Sequence, residues 1–215
     1  MPLSDPPYDA LLFDLDGTLV DSLPDLRTAA NLLRSDLELP PLDLEAVKSC
    51  VGDGARMLVQ RALPTGEFTE HRLQKFLAYY AEHLAEGTTP YHGVRPMLDQ
   101  LRHLPLAVVT NKPHDLTCLL LDQLGLSGCF QIVIGGDSCP QKKPSPEPLN
   151  AALAALECRP EQALMIGDHH TDLRAGRAAG TRTCFCSWGY GEHGGQPYDL
   201  RAGSVMELRQ LLGAE

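Results

Sequence analysis

The chain has 215 residues, enough to bury a full core as one large domain or as one domain with an insertion. Its 43% hydrophobic content is typical of globular proteins, and its formal net charge of −10 argues against a nucleic-acid partner. The first residues resemble no secretory signal, no apolar stretch is long enough to span a bilayer, and the seven scattered cysteines fit reduced thiols. We therefore expect a cytoplasmic protein with no membrane or nucleic-acid partner.

The predicted elements begin with a buried strand over residues 10–13. Helices alone follow, over residues 24–33, 44–63 and 68–84, with no convincing strand between residues 22 and 90. From residue 94 the chain alternates between strands (residues 106–109, 131–134, 163–166 and 183–186) and helices (residues 94–102, 116–124, 146–156, 171–179 and 205–212). Such alternation predicts an α/β fold with a doubly wound, mostly parallel, Rossmann-like sheet.

The all-helical stretch interrupts this alternation directly after the first strand. We therefore predict a Rossmann-like core made of residues 1–21 and 89–215, with an inserted helical cap at residues 22–88. A cap beside the end of the first strand would expel water from a site on closing. The alternative is that these helices simply cover one face of the sheet.

Two acidic residues, Asp14 and Asp16, follow the first strand directly and are followed by the turn residue Gly17. Open α/β sheets bind ligands outside the carboxyl ends of their strands, so we expect both carboxylates at the mouth of a site. Two like charges this close need a cation, a shared proton or full solvation. A solvated Asp-rich turn is the alternative interpretation.

Later strands also end in polar residues that the same sheet edge would bring together. Thr110 and Asn111 follow one strand, Asp168 and Asp172 follow another, and Lys143 precedes a helix between them. Asp168 also resembles a helix N-cap. Oxygen ligands favour Mg²⁺ over a softer metal, and a carboxylate beside it can act as a nucleophile in phosphoryl transfer. A lysine and the metal would neutralise the transferring group.

These segments resemble the four ordered motifs of the haloacid dehalogenase-like hydrolases. The matching segments are DLDGT at residues 14–18, Thr110, Lys143-Pro144, and Gly167-Asp168 with Asp172. They extend over most of the chain. The resemblance implies that Asp14 is the nucleophile, that Asp16 is the general acid/base, and that Thr110 and Lys143 bind phosphoryl oxygens.

The same resemblance implies a Mg²⁺ cofactor. Its ligands would be Asp14, the backbone carbonyl of Asp16 and Asp168, with Asp172 supporting from nearby. The helical insertion after the first motif is similar to the small helical cap of this family.

Within the family, several segments resemble those of the phosphoglycolate phosphatases, namely residues 51–55, 109–113, 135–137, 142–149 and 189–191. This resemblance implies hydrolysis of a small phosphate ester, with 2-phosphoglycolate as the first candidate and Asn111 as a substrate ligand. The carboxylate of such a substrate needs a cation. We predict Arg56, which follows the loop at residues 51–55, in that role; a solvated Arg on a cap helix is the alternative.

Other chemistries of the family remain open. Dehalogenases and phosphonate-cleaving members lack an acid at the position of Asp16, so its presence favours phosphoester chemistry. Sugar-phosphate mutases have a histidine in the cap linker, whereas the first histidine here is His71. Pyrophosphatases, sugar-phosphate phosphatases and nucleotidases remain alternatives, as does, more remotely, a phosphate-binding protein without turnover. The expected partner is a small phosphorylated metabolite, and the expected assembly is a monomer or a homodimer.

Two motifs fall outside this scheme. His169 and His170 follow Asp168 where the family commonly has Ser or Thr. One interpretation is that such a histidine bonds a metal-bound water or responds to pH. A loop residue without a role is the interpretation we favour, and zinc is disfavoured because oxygen ligands dominate the site. Residues 189–194 match G-x-G-x-x-G, but no helix is predicted after them, which argues against a dinucleotide site.

Overall fold

The computed structural model describes residues 8–213, which contain a six-stranded sheet and a two-stranded ribbon. The strands are β1 (Ala10–Phe13), β2 (Val20–Asp21), β3 (Thr89–Pro90), β4 (Leu106–Val109), β5 (Ile132–Ile134), β6 (Ala163–Gly167), β7 (Arg182–Cys186) and β8 (Leu200–Ala202). The sheet has the order β5-β4-β1-β6-β7-β8, and every neighbouring pair in it is parallel. β2 and β3 form the antiparallel ribbon.

Helices connect the successive strands of the sheet up to β7, and a loop without a helix connects β7 to β8. They are α1 (Leu23–Ser35), α2 (Leu44–Lys48), α3 (Ala55–Ala62), α4 (Glu70–Glu82), α5 (Val94–Gln100), α6 (His114–Gln123), α7 (Glu147–Ala155), α8 (His170–Ala179) and α9 (Val205–Leu211). Parallel neighbours require such crossover connections.

Each face of the sheet has its own apolar core, because successive strand residues point to opposite faces. Leu11 and Phe13 of β1 face the side covered by α5, α6 and α9, and this core continues into α1, α3 and α4. Ala10 and Leu12 face the side covered by α7 and α8. The predicted doubly wound, Rossmann-like sheet is therefore confirmed.

Helices α1 to α4 lie between the two strands of the ribbon, so the chain enters and leaves them side by side. Buried Asp25 of α1 links the beginning of the helical segment to its end. Its carboxylate accepts hydrogen bonds from the backbone N–H groups of Gly87 (2.7 Å) and Thr88 (2.9 Å). The division into a core of residues 1–21 and 89–215 and a cap of residues 22–88 stays a prediction. Its residues 1–7 and 214–215 lie outside the described part of the chain.

The structure corrects the predicted elements in three places. The helix predicted over residues 44–63 is two helices, α2 and α3, because Gly52 and Gly54 adopt positive φ angles of 118° and 87° that a helix cannot accommodate. The ribbon and β8 were not predicted, since the ribbon strands have only two residues each and β8, with the sequence LRA, contains no unbroken apolar run. The N-cap of α8 is His169, not Asp168.

All seven cysteines lie within the described residues and none forms a disulfide. Among residues 8–213, the helices are too short or too polar to cross a lipid bilayer.

Candidate active site

The polar residues that follow β1, β4 and β6 meet at the carboxyl edge of the sheet. Asp14 directly follows β1, and its backbone N–H donates to the carbonyl oxygen of Ile166 in β6 at 2.9 Å. Thr110 follows β4, and its N–H donates to Ile134 of β5 at 2.9 Å. The parallel register therefore extends one residue past the strands and places both side chains at the same edge.

Lys143 joins two acidic residues in the buried part of this edge. Its ammonium lies 2.9 Å from Oδ1 of Asp14 and 2.7 Å from Oδ1 of Asp172, and it also donates to the carbonyl oxygen of Val109 at 2.5 Å. Lys143 is only 2% exposed and Asp172 is fully buried. Burial disfavours the charge on Lys143, but the two carboxylates outweigh it and raise the pKa of this lysine.

Asp168 is fixed by three donors on two loops. The hydroxyl of Thr18 donates to its Oδ1, and the backbone N–H groups of Tyr190 and Gly191 both donate to its Oδ2, each at 2.9 Å. The segment at residues 189–194 is thus a carboxylate-binding loop, and no helix follows it until α9. Rejecting a dinucleotide site here agrees with this geometry.

Asp14, Asp168 and Asp172 form an acidic cluster, with one carboxylate oxygen from each within 4.8 Å of the others. Burial, helped by the carboxylate of Asp172, raises the pKa of Asp14 to about 6, although Lys143 opposes the shift. Burial and the carboxylates of Asp14 and Asp172 raise the pKa of Asp168 to about 7. A cation would offset the cost of ionising Asp14 and Asp168, and the three carboxylates together could hold a metal ion.

Asp16 lies outside this cluster and has a different set of partners. Its carboxylate is 3.1 and 3.2 Å from the ammonium of Lys112 and accepts a hydrogen bond of 2.6 Å from the hydroxyl of Ser22. Lys112 in turn donates to the hydroxyl of Tyr80 at 2.5 Å, and its ammonium lies 4.3 Å from the centre of that ring. The two acids of the first motif therefore sit in different electrostatic surroundings.

Thr110 and Asn111 lie between these two groups. The hydroxyl of Thr110 accepts a hydrogen bond of 3.3 Å from the N–H of Lys112. The side-chain amide of Asn111 donates to the carbonyl oxygens of Gly52 (3.1 Å) and Lys143 (2.9 Å), which fixes its orientation. Within residues 8–213, its Oδ1 is buried without a hydrogen-bond partner.

A cavity opens over these residues, with a volume of about 540 Å³ that includes its open mouth. Asp14, Asp16, Thr110, Asn111 and Lys112 line its floor on the core side. Helices α1, α3, α4 and the loop before α3 line the opposite side with mostly apolar residues, among them Leu26, Leu58, Phe76 and Leu77. The helical segment therefore covers the candidate site.

The structure does not bring Arg56 into this cavity. Its guanidinium forms a two-bond ion pair with Glu70 on the surface, one bond being 3.0 Å long, and stacks over Phe68 at 5.3 Å. The side chain is 49% exposed. Among the cavity-lining residues of the described chain, Lys112 is the only Lys or Arg.

Lys142 is directed to the loop before α3 and not to Asp14, because its ammonium donates to the backbone carbonyl of Asp53. It therefore contacts the helical segment, whereas Lys143 contacts the acidic cluster.

His169 and His170 lie at the start of α8, with ring centres 4.0 Å apart. Nδ1 of His169 is 3.0 Å from the hydroxyl of Thr171, and the Asp172 carboxylate accepts a 3.0 Å hydrogen bond from the N–H of His169. Nδ1 of His169 also accepts a hydrogen bond of 3.4 Å from the backbone N–H of Thr171, and this bond and the one from His169 to Asp172 form a capping box. Burial, and then the neighbouring His170, lowers the pKa of His169 to about 4.

Several residues that shape the site received no individual role from the sequence. Thr18, Lys112 and Tyr190 lie within the segments that carry the family resemblance, whereas Ser22 and Tyr80 lie outside them. Lys112 carries a weak signal, since it follows two candidate residues directly. Tyr80 carries none, because its approach to Lys112 depends on the packing of α4.

The family model for haloacid dehalogenase-like hydrolases matches residues 11–186, which include every residue of the acidic cluster and Lys143. This chain belongs to the haloacid dehalogenase-like hydrolases. Its similarity to individual members extends over nearly the whole chain. It is 44% identical over 212 residues to a phosphoglycolate phosphatase of Chromobacterium violaceum, covering 94% of this chain and 96% of that protein. It is 37% identical over 204 residues to a phosphoglycolate phosphatase of Aquifex aeolicus, covering 94% and 95%.

Solved structures of the family agree with this fold. A predicted phosphoglycolate phosphatase from Haemophilus somnus superposes with a TM-score of 0.89 at 30% sequence identity, covering 97% of this chain and 99% of that one. CbbY from Rhodobacter sphaeroides, solved with phosphate, superposes with a TM-score of 0.80 at 24% identity over 96% of this chain and 99% of that one. At that lower identity the likeness concerns the fold alone.

Proposed function

We propose that this family member hydrolyses small phosphate monoesters, with 2-phosphoglycolate preferred, through a phosphorylated Asp14. The observation that supports this most strongly is that the two acids of the first motif pair with different lysines. Asp14 and Asp16 line one cavity, yet Asp14 is paired with Lys143 and Asp16 with Lys112. Relatives of 37 to 44% identity that are named phosphoglycolate phosphatase support the choice of substrate.

In the first step, a carboxylate oxygen of Asp14 attacks phosphorus and forms a new O–P bond. The bond between phosphorus and the ester oxygen breaks, and the leaving alkoxide takes a proton from Asp16. Lys143, 2.9 Å from one oxygen of Asp14, offsets negative charge on the transferring group. Thr110 and Asn111 line the same cavity and act as ligands for the phosphoryl oxygens.

In the second step, Asp16 accepts a proton from a water molecule as that water attacks phosphorus. The O–P bond to Asp14 breaks, which releases inorganic phosphate and restores the free carboxylate. One water is consumed for each ester bond broken, and Asp16 ends in its protonated state, ready for the next substrate. The hydroxyl of Ser22 and the ammonium of Lys112 hold Asp16 in place for both transfers.

The acidic cluster suits Mg²⁺, because its three carboxylates face a single ammonium group and supply only oxygen ligands. Asp14, Asp168 and the backbone carbonyl of Asp16 would hold the ion, with Asp172 supporting them. When bound, Mg²⁺ supplies positive charge to the equatorial oxygens of the phosphoryl group. The loop that contains Tyr190 and Gly191 orients Asp168 for this role.

Lys112 is the better candidate for the cation that meets the substrate carboxylate, in place of Arg56. Its ammonium lies in the cavity, 6% of the residue is exposed, and one of its neighbours is the neutral hydroxyl of Tyr80. Burial, countered by Asp16 and then Tyr80, leaves the pKa of Lys112 raised, so the ammonium stays charged. Arg56 is held outside by Glu70.

The remaining assignments are part of the same proposal. Residues 22–88 form a cap that closes over a core of residues 1–21 and 89–215. The partner is a small phosphorylated metabolite, the assembly is a monomer or a homodimer, and the location is the cytoplasm, where seven free thiols would stay reduced.

A phosphate-release screen with Mg²⁺ tests the proposal, using phosphoglycolate, pyrophosphate, sugar phosphates and nucleotides. We expect kcat/KM for phosphoglycolate to exceed the others by at least about tenfold, or about 1.4 kcal/mol in transition-state binding. Preference for another substrate would replace the assignment with a pyrophosphatase, sugar-phosphate phosphatase or nucleotidase. Phosphate binding without release would indicate a binding protein.

The nucleophile is tested with the same assay. Asp14→Asn should reduce turnover by more than about a thousandfold, as expected for loss of a covalent nucleophile. Mass spectrometry of the wild-type protein, quenched in acid during turnover, should show a phosphate on Asp14. Unchanged turnover in Asp14→Asn would exclude the assignment.

A further inference from the structure

A second group of metal-ligating side chains lies beside the acidic cluster but shares no residue with it. One ligand atom each from Asp53, His169 and His170 lie within 4.8 Å of one another, and all three residues are partly exposed. We propose that they form a binding site for a transition-metal ion of the Zn²⁺ type, which joins the loop at residues 51–54 to the core and stabilises the closed cap.

The donor set decides the class of metal. Two imidazole nitrogens and one carboxylate oxygen suit Zn²⁺, whereas Mg²⁺ prefers oxygen ligands alone. In a tetrahedral zinc site with bonds of about 2.1 Å, neighbouring ligand atoms are about 3.4 Å apart, so these side chains need to close only slightly. Three protein ligands leave a fourth position for water.

The surroundings already orient two of the ligands. One carboxylate oxygen of Asp53 is 2.5 Å from the guanidinium of Arg61, which leaves the other oxygen for a metal. Nδ1 of His169 contacts Thr171, at 3.0 Å from its hydroxyl oxygen and 3.4 Å from its backbone nitrogen, and a metal on Nε2 places the imidazole proton on Nδ1, where it donates to that hydroxyl. Partners of this kind behind metal ligands fix the orientation of the ligating group. Within residues 8–213 the ring of His170 makes no hydrogen bond and contacts only the ring of His169 in an aromatic pair.

The free nitrogen of His169 points toward the loop that bears Asp53. A Cβ added to Gly52 would lie 2.8 Å from Nε2 of His169, so the ring is in close contact with that loop. The loop is held in this position by Asn111, which donates to the carbonyl of Gly52, and by Lys142, which donates to the carbonyl of Asp53. In this arrangement, which we call the seated loop, Asp53 lies beside the two histidines.

A metal bound by all three residues would stabilise the seated loop, because Asp53 can complete the ligand set only when the loop lies beside the histidines. The same loop lines the cavity through Val51 and Gly52. Bound Zn²⁺ should thus slow release of product by slowing cap opening, and this consequence rests on the proposed function. The binding of Zn²⁺ and the ordering of the loop do not depend on the proposed phosphatase activity.

Binding is tested by titrating Zn²⁺ into the metal-free protein with Mg²⁺ in large excess, using calorimetry. We expect one strong site in the wild type and a loss of affinity of at least tenfold in His170→Gln and in Asp53→Asn. His71→Gln, which removes an exposed imidazole from α4, is the matched control and should bind like the wild type. Thermal melts without Zn²⁺ verify that each variant is folded.

Co²⁺ in place of Zn²⁺ distinguishes binding at this site from binding at the seven cysteines, because thiolate ligands give an intense near-ultraviolet band and nitrogen and oxygen ligands do not.

Hydrogen exchange of residues 51–54 should slow on Zn²⁺ binding in the wild type but not in His170→Gln. Unchanged affinity in both site variants, displacement of Zn²⁺ by Mg²⁺, or a thiolate band would each overturn the proposal. A protein that binds Zn²⁺ as expected but releases no phosphate would overturn only the proposed function.

Discussion

The ammonium of Lys143 lies 2.7 Å from Asp172 and 2.9 Å from Asp14, and neither Lys143 nor Asp172 has contact with bulk solvent. The ammonium of Lys143 is thus the counter-charge of both Asp14, which lines the cavity, and Asp172, which does not. Because a buried carboxylate without a counter-charge is costly, this relationship links the stability of the core to the charge balance of the site.

Replacing Lys143 by Ala should therefore impair both stability and activity. Asp172 would lose the ammonium that pairs with it, and we expect the free energy of unfolding to fall by about 3–5 kcal/mol, measured by urea denaturation. The companion variant Lys142→Ala removes a lysine whose ammonium donates to the backbone carbonyl of Asp53, and it should cost far less. Equal losses in the two variants would contradict the assigned role of Lys143.

The raised pKa values of Asp14 and Asp168 predict that Mg²⁺ stabilises the protein more at high pH. A carboxyl whose pKa rises on folding from 3.8 to about 6 or 7 binds its proton more tightly in the folded state. Folding is then increasingly penalised as pH rises from 3.8 to about 7, and a cation relieves that penalty. The Mg²⁺-induced increase in Tm should be larger near pH 8 than near pH 5. Asp168→Asn should abolish most of the increase at both pH values.

The sequence was sufficient to place the residues that directly follow strands. Asp14, Thr110 and Asp168 each come within a residue or two of the end of a buried apolar run, so their meeting follows from a parallel sheet alone. Lys143 was placed by its family motif. The strands themselves were found because fully buried parallel strands read as unbroken apolar runs.

Contacts across the helical segment could not be predicted in this way. Lys112 and Tyr80 are 32 residues apart in sequence, and their contact depends on how α4 packs over the sheet edge. Arg56 was chosen for its charge and its place after a loop, but its contact with Glu70 depends on the relative position of α3 and α4. Side-chain direction on a helix is set by tertiary packing, which no local pattern encodes.

Gly189 should be intolerant of any side chain. A Cβ there would lie 2.4 Å from the Cβ of Asp168 and 2.4 Å from the carbonyl oxygen of Gly17, and neither of those atoms can move freely. Gly189→Ala should displace the loop that donates to Asp168, lower the free energy of unfolding by about 1–3 kcal/mol and weaken Mg²⁺ binding. Gly128→Ala is the control, because nothing lies within 4 Å of its added Cβ. Calorimetric Mg²⁺ titration and thermal melts would show whether the two glycines differ.

Asp25 should hold the start of α1 against the chain that leaves the helical segment at residues 87–88. It is 2% exposed and accepts hydrogen bonds from the N–H groups of Gly87 and Thr88. Asp25→Ala leaves these buried donors unpaired, and we expect a loss of about 2–4 kcal/mol in the free energy of unfolding. The exposed N-cap Asp43 provides the comparison, since Asp43→Ala removes a single bond to Ala46 and should cost only about 1 kcal/mol. Urea denaturation of the two variants measures both values.

Assigning the substrate carboxylate to Lys112 or to Arg56 predicts opposite effects of their mutation on substrate preference. If Lys112 meets the substrate carboxylate, Lys112→Gln should reduce kcat/KM for phosphoglycolate about tenfold to a hundredfold more than for p-nitrophenyl phosphate, which lacks a carboxylate. The comparison of substrates removes any shared effect through Asp16, 3.1 Å from the ammonium. Arg56→Gln breaks a surface ion pair and the stacking on Phe68, both outside the cavity, and should change kcat/KM for both substrates by less than about twofold. A selective loss for phosphoglycolate in Arg56→Gln, with none in Lys112→Gln, would return the carboxylate to Arg56 and require α3 to turn toward the cavity when substrate binds.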